Sequence, residues 1–467
     1  MTQLHTLLAI VTKRITPTAA ERKAMERLKD EVLAVTETVL AEDDLDFVIA
    51  GSFSRDTWMP DKKEFDLFIR FPMEVSREEL ETKAIDYGEL IAEKLRGTYT
   101  IAYAEHPYVR AKIMGFDVDI VPCYNVPAAH AIKSSVDRTP FHNRWLNKNL
   151  PKKLVPDVRL LKQFLKNNDL YGSDTKTEGF SGYLCELLTI QYKGFVPLLR
   201  AAAGWTAGQV ILDPSGHRPK ATIKGDFKRQ SLVMIDPVDP ARNVAAVVSP
   251  ANFMRFVLLS KRFLHLPAQS FFFAKPKPVN LPVLERLWKQ RHTKLLLVTF
   301  PCPDVIPDIL WPQLRRAETR LRNILTEHEF AVLNSLAWSD EERVCALLFE
   351  LEVWELPDVR KLVGPQIAAK RHADEFLHKY EKSARVWVEQ DFWVADAPRA
   401  FPIAHEKLQD TLGDREKVLL AKGIPSYLAK QIAKQHKVLE DAAVFRFAKQ
   451  HPGFKKALAD FFTRDWS

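Results

Sequence analysis

The segment "EFDLFIRF", Glu64 to Phe71, constrains the fold more than any other stretch. Phe65, Leu67, Ile69 and Phe71 alternate with Glu64, Asp66, Phe68 and Arg70. A period of two sends these sets to opposite faces of a strand. Glu64 and Asp66 therefore point the same way, roughly 6–7 Å apart along the strand. Two such anions repel unless a cation lies between them. A divalent metal is one answer; a solvent-facing edge strand with two hydrated acids is the other. Upstream, "DFVIAG" reads as a short buried strand ending in Gly51, and Ser52 follows as part of a turn that opens a helix.

The neighbouring patterns set this strand in an α+β domain. A helix is predicted over 17–42, with Thr16 as N-cap and Pro17 in its first turn. Ser76 caps a second helix, with Glu79 three residues on. "AEHPYVRAKIMGFDVDIVPCY" reads as a hairpin turning at Met114–Gly115. Its second strand carries Asp117 and Asp119 on one face and Phe116, Val118 and Ile120 on the other. From 136 the chain becomes helical, with apolar helices in "PDVRLLKQFLKNNDLYG", "SGYLCELLTIQYKGFVPLLRAAA" and "PANFMRFVLLSKRFLHL". "AQSFFFAKPKPVNLP" reads as a linker. "KLLLVTF", a helix over 314–329, "FAVLNSLAWS" and "RVCALLFELEVW" give a β-α-β-β order that suits a ferredoxin-like or RNA-recognition sandwich. The Lys-rich end, from Lys417 on, reads as helical.

At 467 residues the chain exceeds one core, so several domains are expected. The division read here is 1–135, 136–265 and 266–467. The four cysteines form no CxxC pair, so no zinc or disulfide framework is implied, and a reducing compartment fits. No apolar run is long enough to span a membrane and no signal-peptide layout opens the chain, so a cytoplasmic location is expected. A net charge of +8 favours polyanionic partners.

A Gly-Ser turn, a strand with acids at i and i+2, and a later strand with another acid suit a pair of hard divalent ions. Gly51–Ser52 followed by Glu64-Phe65-Asp66 and Asp119 resembles the nucleotidyltransferase superfamily of polymerase β type. "GSFSRDTW", "EFDLFIRFP", "YAEHPYVRAKI", "VDIVPCY", "SSVDRTPFHNRWL", "VRLLKQFLKNNDLYG", "GFSGYLCELL" and "DPVDPARNVAA" narrow this. Together they resemble the archaeal-type (class I) CCA-adding enzymes, tRNA nucleotidyltransferases. The likeness is dense from 45 to 265 and thin beyond.

The resemblance implies an α+β multidomain fold: a polymerase β-like palm, a helical neck, a ferredoxin-like or RNA-recognition-like body and a helical tail. It implies that Glu64, Asp66 and Asp119 hold two Mg2+ ions, and that Asp119 helps to activate the RNA 3′-hydroxyl. Ser52, Arg55, His142, Lys162 and Tyr171 match nucleotide-triphosphate contacts, and Arg242 matches a base-reading arginine. The implied partners are tRNA, at its acceptor stem and 3′ end, with CTP and ATP; a homodimer is compatible with them. Each residue also has a plainer reading. His142 suits a helix cap, Lys162 sits among other lysines, Tyr171 fits a core, Arg242 a surface turn, and His106 a structural role or a peripheral nucleotide contact. Asp117 shares Asp119's face and rivals it; only Asp119 matches the family's block. The rival functions are a poly(A) polymerase or oligoadenylate synthetase on the same fold, and a non-catalytic RNA-binding protein. "FAVLNSLAWS" lacks the RNA-stacking aromatics of the RNA-recognition fold, so the body is expected to hold duplex RNA by shape and phosphates.

Overall fold

The computed structural model describes residues 3–103, 105–273, 279–382 and 384–463. The contacts divide the chain into two compact units, Met1–Lys275 and Pro276–Ser467. The linker reading falls partly on 274–278, which lie outside the described residues.

In the first unit, helices α1 (Gln3–Ile15) and α2 (Ala19–Leu40) precede strand β1 (Asp46–Ala50). Then come β2 (Glu64–Phe71), α3 (Arg77–Lys94), β3 (Thr98–Tyr103), β4 (Pro107–Ile113) and β5 (Phe116–Tyr124). The cap of α2 is Thr18, not Thr16: its side chain and that of Glu21 close a reciprocal capping box, while Thr16 bonds back to Thr12. The five strands form one sheet in the order β1-β2-β5-β4-β3, with β2 and β5 parallel. β2 is thus central, which removes the edge-strand alternative. β1 is the edge, and only Ala50 in it is fully buried. Phe65, Leu67, Ile69 and Phe71 pack with Met25, Leu28 and Val32 of α2 and Leu80 of α3. Burying these apolar residues on one face leaves Glu64, Asp66, Asp117 and Asp119 to the other.

A second core gathers around helices. These are α4 (Thr139–Asn149), α5 (Val155–Asn167), α6 (Gly182–Tyr192) and α7 (Phe195–Ala202), and, later in the chain, α8 (Lys220–Asp226) and α9 (Pro250–His265). A two-stranded parallel sheet, β6 (Val210–Leu212) with β7 (Leu232–Met234), was not expected. The stretch read as one helix from 181 to 203 is two, broken where Lys193 enters the left-handed region. Val11 and Ile15 of α1 belong to this core, as do Phe271 and Phe272. Phe272 is fully buried, so the front of the expected linker is core.

The second unit holds α10 (Leu281–Arg291), β8 (Lys294–Pro301), α11 (Pro307–Glu327), β9 (Val332–Ser339) and β10 (Val344–Leu351). An unexpected module follows: β11 (Val359–Gln366), α12 (Lys370–Tyr380), β12 (Arg385–Glu389) and β13 (Phe392–Pro398), whose strands form a sheet of order β11-β13-β12. Then come α13 (Ala404–Leu412), α14 (Glu416–Ala421), α15 (Ser426–Lys434), β14 (Lys437–Glu440), α16 (Ala442–Gln450) and α17 (Pro452–Phe462). The main sheet runs β14-β8-β10-β9, all antiparallel, which is the split βαβ order. Its fourth strand, "KVLE", corrects the all-helical reading of the C-terminal stretch. Leu296 and Val298 of β8 face α11, α13 and α15, while Leu295 and Leu297 face α10, α16 and α17. Helices thus cover both faces of this sheet, so it offers no open platform for stacking bases.

Candidate active site

The parallel register of β2 and β5 sets Asp66 opposite Asp119, and Glu64 opposite Asp117. Local alternation put each pair on one face; the non-local register decides which acids meet. Burial, then Asp119, then Glu64 push the Asp66 carboxyl up to about 7. Positive side chains flank the outer acids. Lys62 Nζ lies 2.7 Å from Glu64, and Arg110 on β4 grips Asp119 with two bonds of 2.8 and 2.9 Å. Arg110 also donates 2.7 Å to the Tyr108 hydroxyl.

Among the described residues, no group of three or more His, Cys, Asp or Glu side chains closes around a common point. The donor chemistry nevertheless fits a hard divalent cation: Glu64, Asp66 and Asp119 share one sheet face, and burial and like charge at Asp66 outweigh Lys62 and Arg55. Asp66 also gives a sign to the pH dependence. Its ordinary value is 3.8 and its folded value about 7, so its contribution to stability is full below about 4 and is lost as pH rises through 7. With divalent ions chelated, the unfolding midpoint should fall across that window more in the parent than in Asp66→Asn. Added Mg2+ should restore the parent at pH 7 and leave Asp66→Asn little changed. Parallel thermal melts of the two proteins check both expectations.

The Gly51–Ser52 turn approaches Asp66 closely. Gly51 has φ +73°, and a Cβ there would overlap Asp66 Oδ2. The turn leads into a single 3-10 turn, Phe53–Arg55, not the expected helix: Asp56 turns left-handed at φ 58° and ends it. Ser52, Asp61, Lys62, Lys162, Lys166 and Tyr171 line a common cavity. Ser52, Lys162 and Tyr171 are thus brought together as the sequence implied. Lys166 pairs with Asp61 at the cavity.

Lys162 is buried and donates to the Thr57 carbonyl at 3.0 Å and the Thr57 hydroxyl at 3.2 Å. Burial pulls its ammonium below the ordinary lysine range, against the attraction of Glu186. Arg55 stands apart from the cavity lining. Its guanidinium forms a fork with buried Glu186, at 3.2 and 3.0 Å, and donates 2.5 Å to Asn143. Glu186 is 3.9 Å from Lys162 and accepts from the Thr57 hydroxyl, so it links Arg55, Thr57 and Lys162.

His142 and Arg242 meet elsewhere in the same unit, at Asp236. His142 Nε2 and Arg242 Nη1 each lie 2.8 Å from Asp236 Oδ2. The His142 ring stacks on Tyr183 at 4.2 Å. Burial alone would raise the Asp236 carboxyl; the bonds from His142, the Val238 N–H and Arg242 hold it down at about 2. His106 is buried on Glu81 at 2.9 Å, in keeping with a structural role.

Family models match most of the chain. Residues 28–142 match "Nucleotidyltransferase domain", 156–273 "tRNA nucleotidyltransferase, second domain", and 291–441 "CCA-adding enzyme, C-terminal domain". The chain is 37% identical over 458 residues to the CCA-adding enzyme of Methanoregula boonei, covering 97% of this chain and 95% of that one. The chain belongs to the CCA-adding enzyme family. The CCA-adding enzyme of Halobacterium salinarum is 41% identical over 383 residues, covering 81% of this chain and 82% of the relative. That of Methanosarcina acetivorans is 35% identical over 464 residues, covering 98% and 97%. The fold is the α+β, multidomain one of the family, with its nucleotidyltransferase domain on the β1–β5 sheet. Nucleotidyltransferases work with divalent metal ions. No helix among the described residues is long and apolar enough to cross a membrane.

Sequence reasoning overlooked Arg110, Glu186 and Asp236 in this CCA-adding enzyme. For Asp236 one signal was present: "LVMID" sets an acid directly at the end of an apolar run. A carboxylate in that place needs buried donors.

Proposed function

We propose that the chain builds and repairs the terminal C-C-A of tRNA without a nucleic-acid template, drawing on CTP and ATP and releasing pyrophosphate. The observation that carries this reading is the β2–β5 register, which sets Asp66 beside Asp119 in a chain 35% to 41% identical to enzymes of that name. Glu64, Asp66 and Asp119 would hold two Mg2+ ions, which supply Lewis-acid polarisation of the attacking hydroxyl and charge for the leaving pyrophosphate.

The remaining work falls to the chain's own groups. The RNA 3′-oxygen bonds to the α-phosphorus, the bond from that phosphorus to the bridging oxygen breaks, and pyrophosphate leaves. Asp119 accepts from the 3′-hydroxyl as its proton departs. Ser52, Lys162 and Tyr171 line the triphosphate cavity, with Lys62 and Lys166 supplying charge near its mouth. Arg55 acts by bracing Glu186, and through it Thr57 and Lys162. Arg242 reads the base, and His142 contacts the triphosphate.

For the domains, the proposal is a catalytic head over 1–135, a helical neck over 136–265 and an RNA-gripping body and tail over 266–467. α1, in the first of these spans, packs on the helices of the second. The cytoplasm is the proposed compartment, and four free cysteines suit it. The test is to incubate the protein with tRNA lacking its 3′ end and each nucleotide separately, then map the products. C-C from CTP, followed by A only when ATP is present, is expected. A long A tract from ATP alone would favour a poly(A) polymerase.

The grip on RNA carries its own expectation. Lys430 and Lys434 on α15, Lys437 at the start of β14 and Lys449 on α16 are exposed. They would make sequence-independent phosphate contacts. Affinity for tRNA should therefore fall steeply with salt, and reversing the charge at Lys430 and Lys434 should flatten the log–log slope by about one to two. A slope unchanged in the double variant would return these lysines to a merely solvated face.

A further inference from the structure

Asp236 is buried and ionised, yet no step of the chemistry needs it. It stands where three elements converge: His142 comes from α4, Tyr183 from α6 and Arg242 from the loop after β7. Besides the two bonds to Oδ2, its Oδ1 accepts from the Tyr183 hydroxyl at 3.2 Å and from the Val238 N–H at 3.1 Å. The loop is closed twice more. The Asp236 N–H donates to the Arg242 carbonyl at 3.0 Å, and Arg138 holds Asp239 at 2.9 Å.

One carboxylate oxygen therefore fixes the hydrogen-bonding sense of two neighbouring groups. An ionised carboxylate only accepts, so His142 Nε2 and Arg242 Nη1 both donate to it. Arg242 commits Nη1 and keeps Nε and Nη2 as donors. Cytosine and adenine each offer an amine donor beside a ring-nitrogen acceptor. Uracil and guanine offer the reverse. A fixed donor aimed at that ring nitrogen matches the first two and opposes the ring N–H of the others.

We propose that Asp236 is the positioning residue of base selection: it holds Arg242 as the donor for the ring-nitrogen acceptor that cytosine and adenine share on the Watson–Crick edge. This rests on the reading of the chain as an enzyme that adds C and A.

The test measures kcat/KM for CTP, UTP, ATP and GTP separately, on tRNA lacking its 3′ end, with Asp236→Asn and Asp236→Glu. Asparagine keeps the shape but offers a donor; glutamate keeps the charge but moves it by a methylene. Both should lower the CTP:UTP and ATP:GTP ratios about ten- to a hundredfold, mainly through KM for the correct nucleotides. In an Arg242→Ala background, Asp236→Asn should lower the ratios no further. If Asp236→Asn does not fold, as judged by its melting curve, Asp236→Glu carries the test. Ratios within about twofold of the parent, equal loss of all four nucleotides, or additive effects in the double variant would each overturn the assignment. A parent that adds neither C nor A would mark failure of the enzyme reading instead. Equilibrium binding of the four nucleotides then decides: a parent that prefers CTP and ATP, with the preference lost in the variants, sustains the role of Asp236, and a parent without preference ends it.

Discussion

Asp66→Ala and Asp119→Ala should each cut nucleotide addition roughly a thousandfold or more while leaving tRNA affinity almost unchanged. The two acids face each other across β2 and β5, and Asp66 is buried beside two like charges, Asp119 and Glu64. Removing it relieves repulsion, so the unfolding midpoint of Asp66→Ala should hold or rise in the absence of divalent ions. Asp119→Ala leaves Arg110 unpaired on the surface and should alter stability little. Asp117 is exposed and lies opposite Glu64, so Asp117→Ala should cost far less. Single-turnover assays on trimmed tRNA, with filter binding for affinity, measure all three. Near-normal turnover by either of the first two, or a lethal Asp117→Ala, would show that the wrong pair has been assigned.

Gly51→Ala should be almost as damaging, though it adds a single methyl group outside the reacting atoms. At φ +73° alanine is strained, at about 1–3 kcal/mol. Its Cβ would also overlap Asp66 Oδ2 and lie 2.8 Å from Asp66 Cγ, so the carboxylate must swing away. A displacement on the order of 1 Å at a reacting group costs about a hundredfold in rate. The expected signature is a large loss in kcat with a modest drop in the unfolding midpoint. Full activity in Gly51→Ala would mean that Asp66 need not occupy the position found here.

Local patterns were legible and non-local pairings were not. The bounds of β2 and the Met114–Gly115 hairpin follow from alternation and turn chemistry, which neighbouring residues decide among themselves. The opposition of Asp66 to Asp119 depends on a pairing across some fifty residues, and no local rule expresses it. The start of α11 was read too late because Pro312 looks like a breaker; it sits near the helix start, where a missing N–H costs one bond. Strands β11 to β13 escaped notice because Val359, Val363 and Val388 are exposed, so their alternation signals no core. Blocks shared with a known family supplied the site residues that spacing alone left open. Those blocks did not reveal the carboxylates behind them: Glu186 and Asp236 read as ordinary helix and loop acids until their partners are seen.

The late arrival of β14 bears on how the second unit is made. Its strand neighbour β8 forms early in that unit, yet the Asp441 side chain that receives the Leu295 N–H lies 146 residues further along. On the ribosome, the apolar edge Leu295–Val298 must wait while the β11–β13 module and three helices are synthesised. An unpaired edge of that composition is a template for strand addition by another chain. A nascent chain stalled before Lys437 therefore exposes that edge, and β14 with α16 and α17 serves as the clasp that closes it.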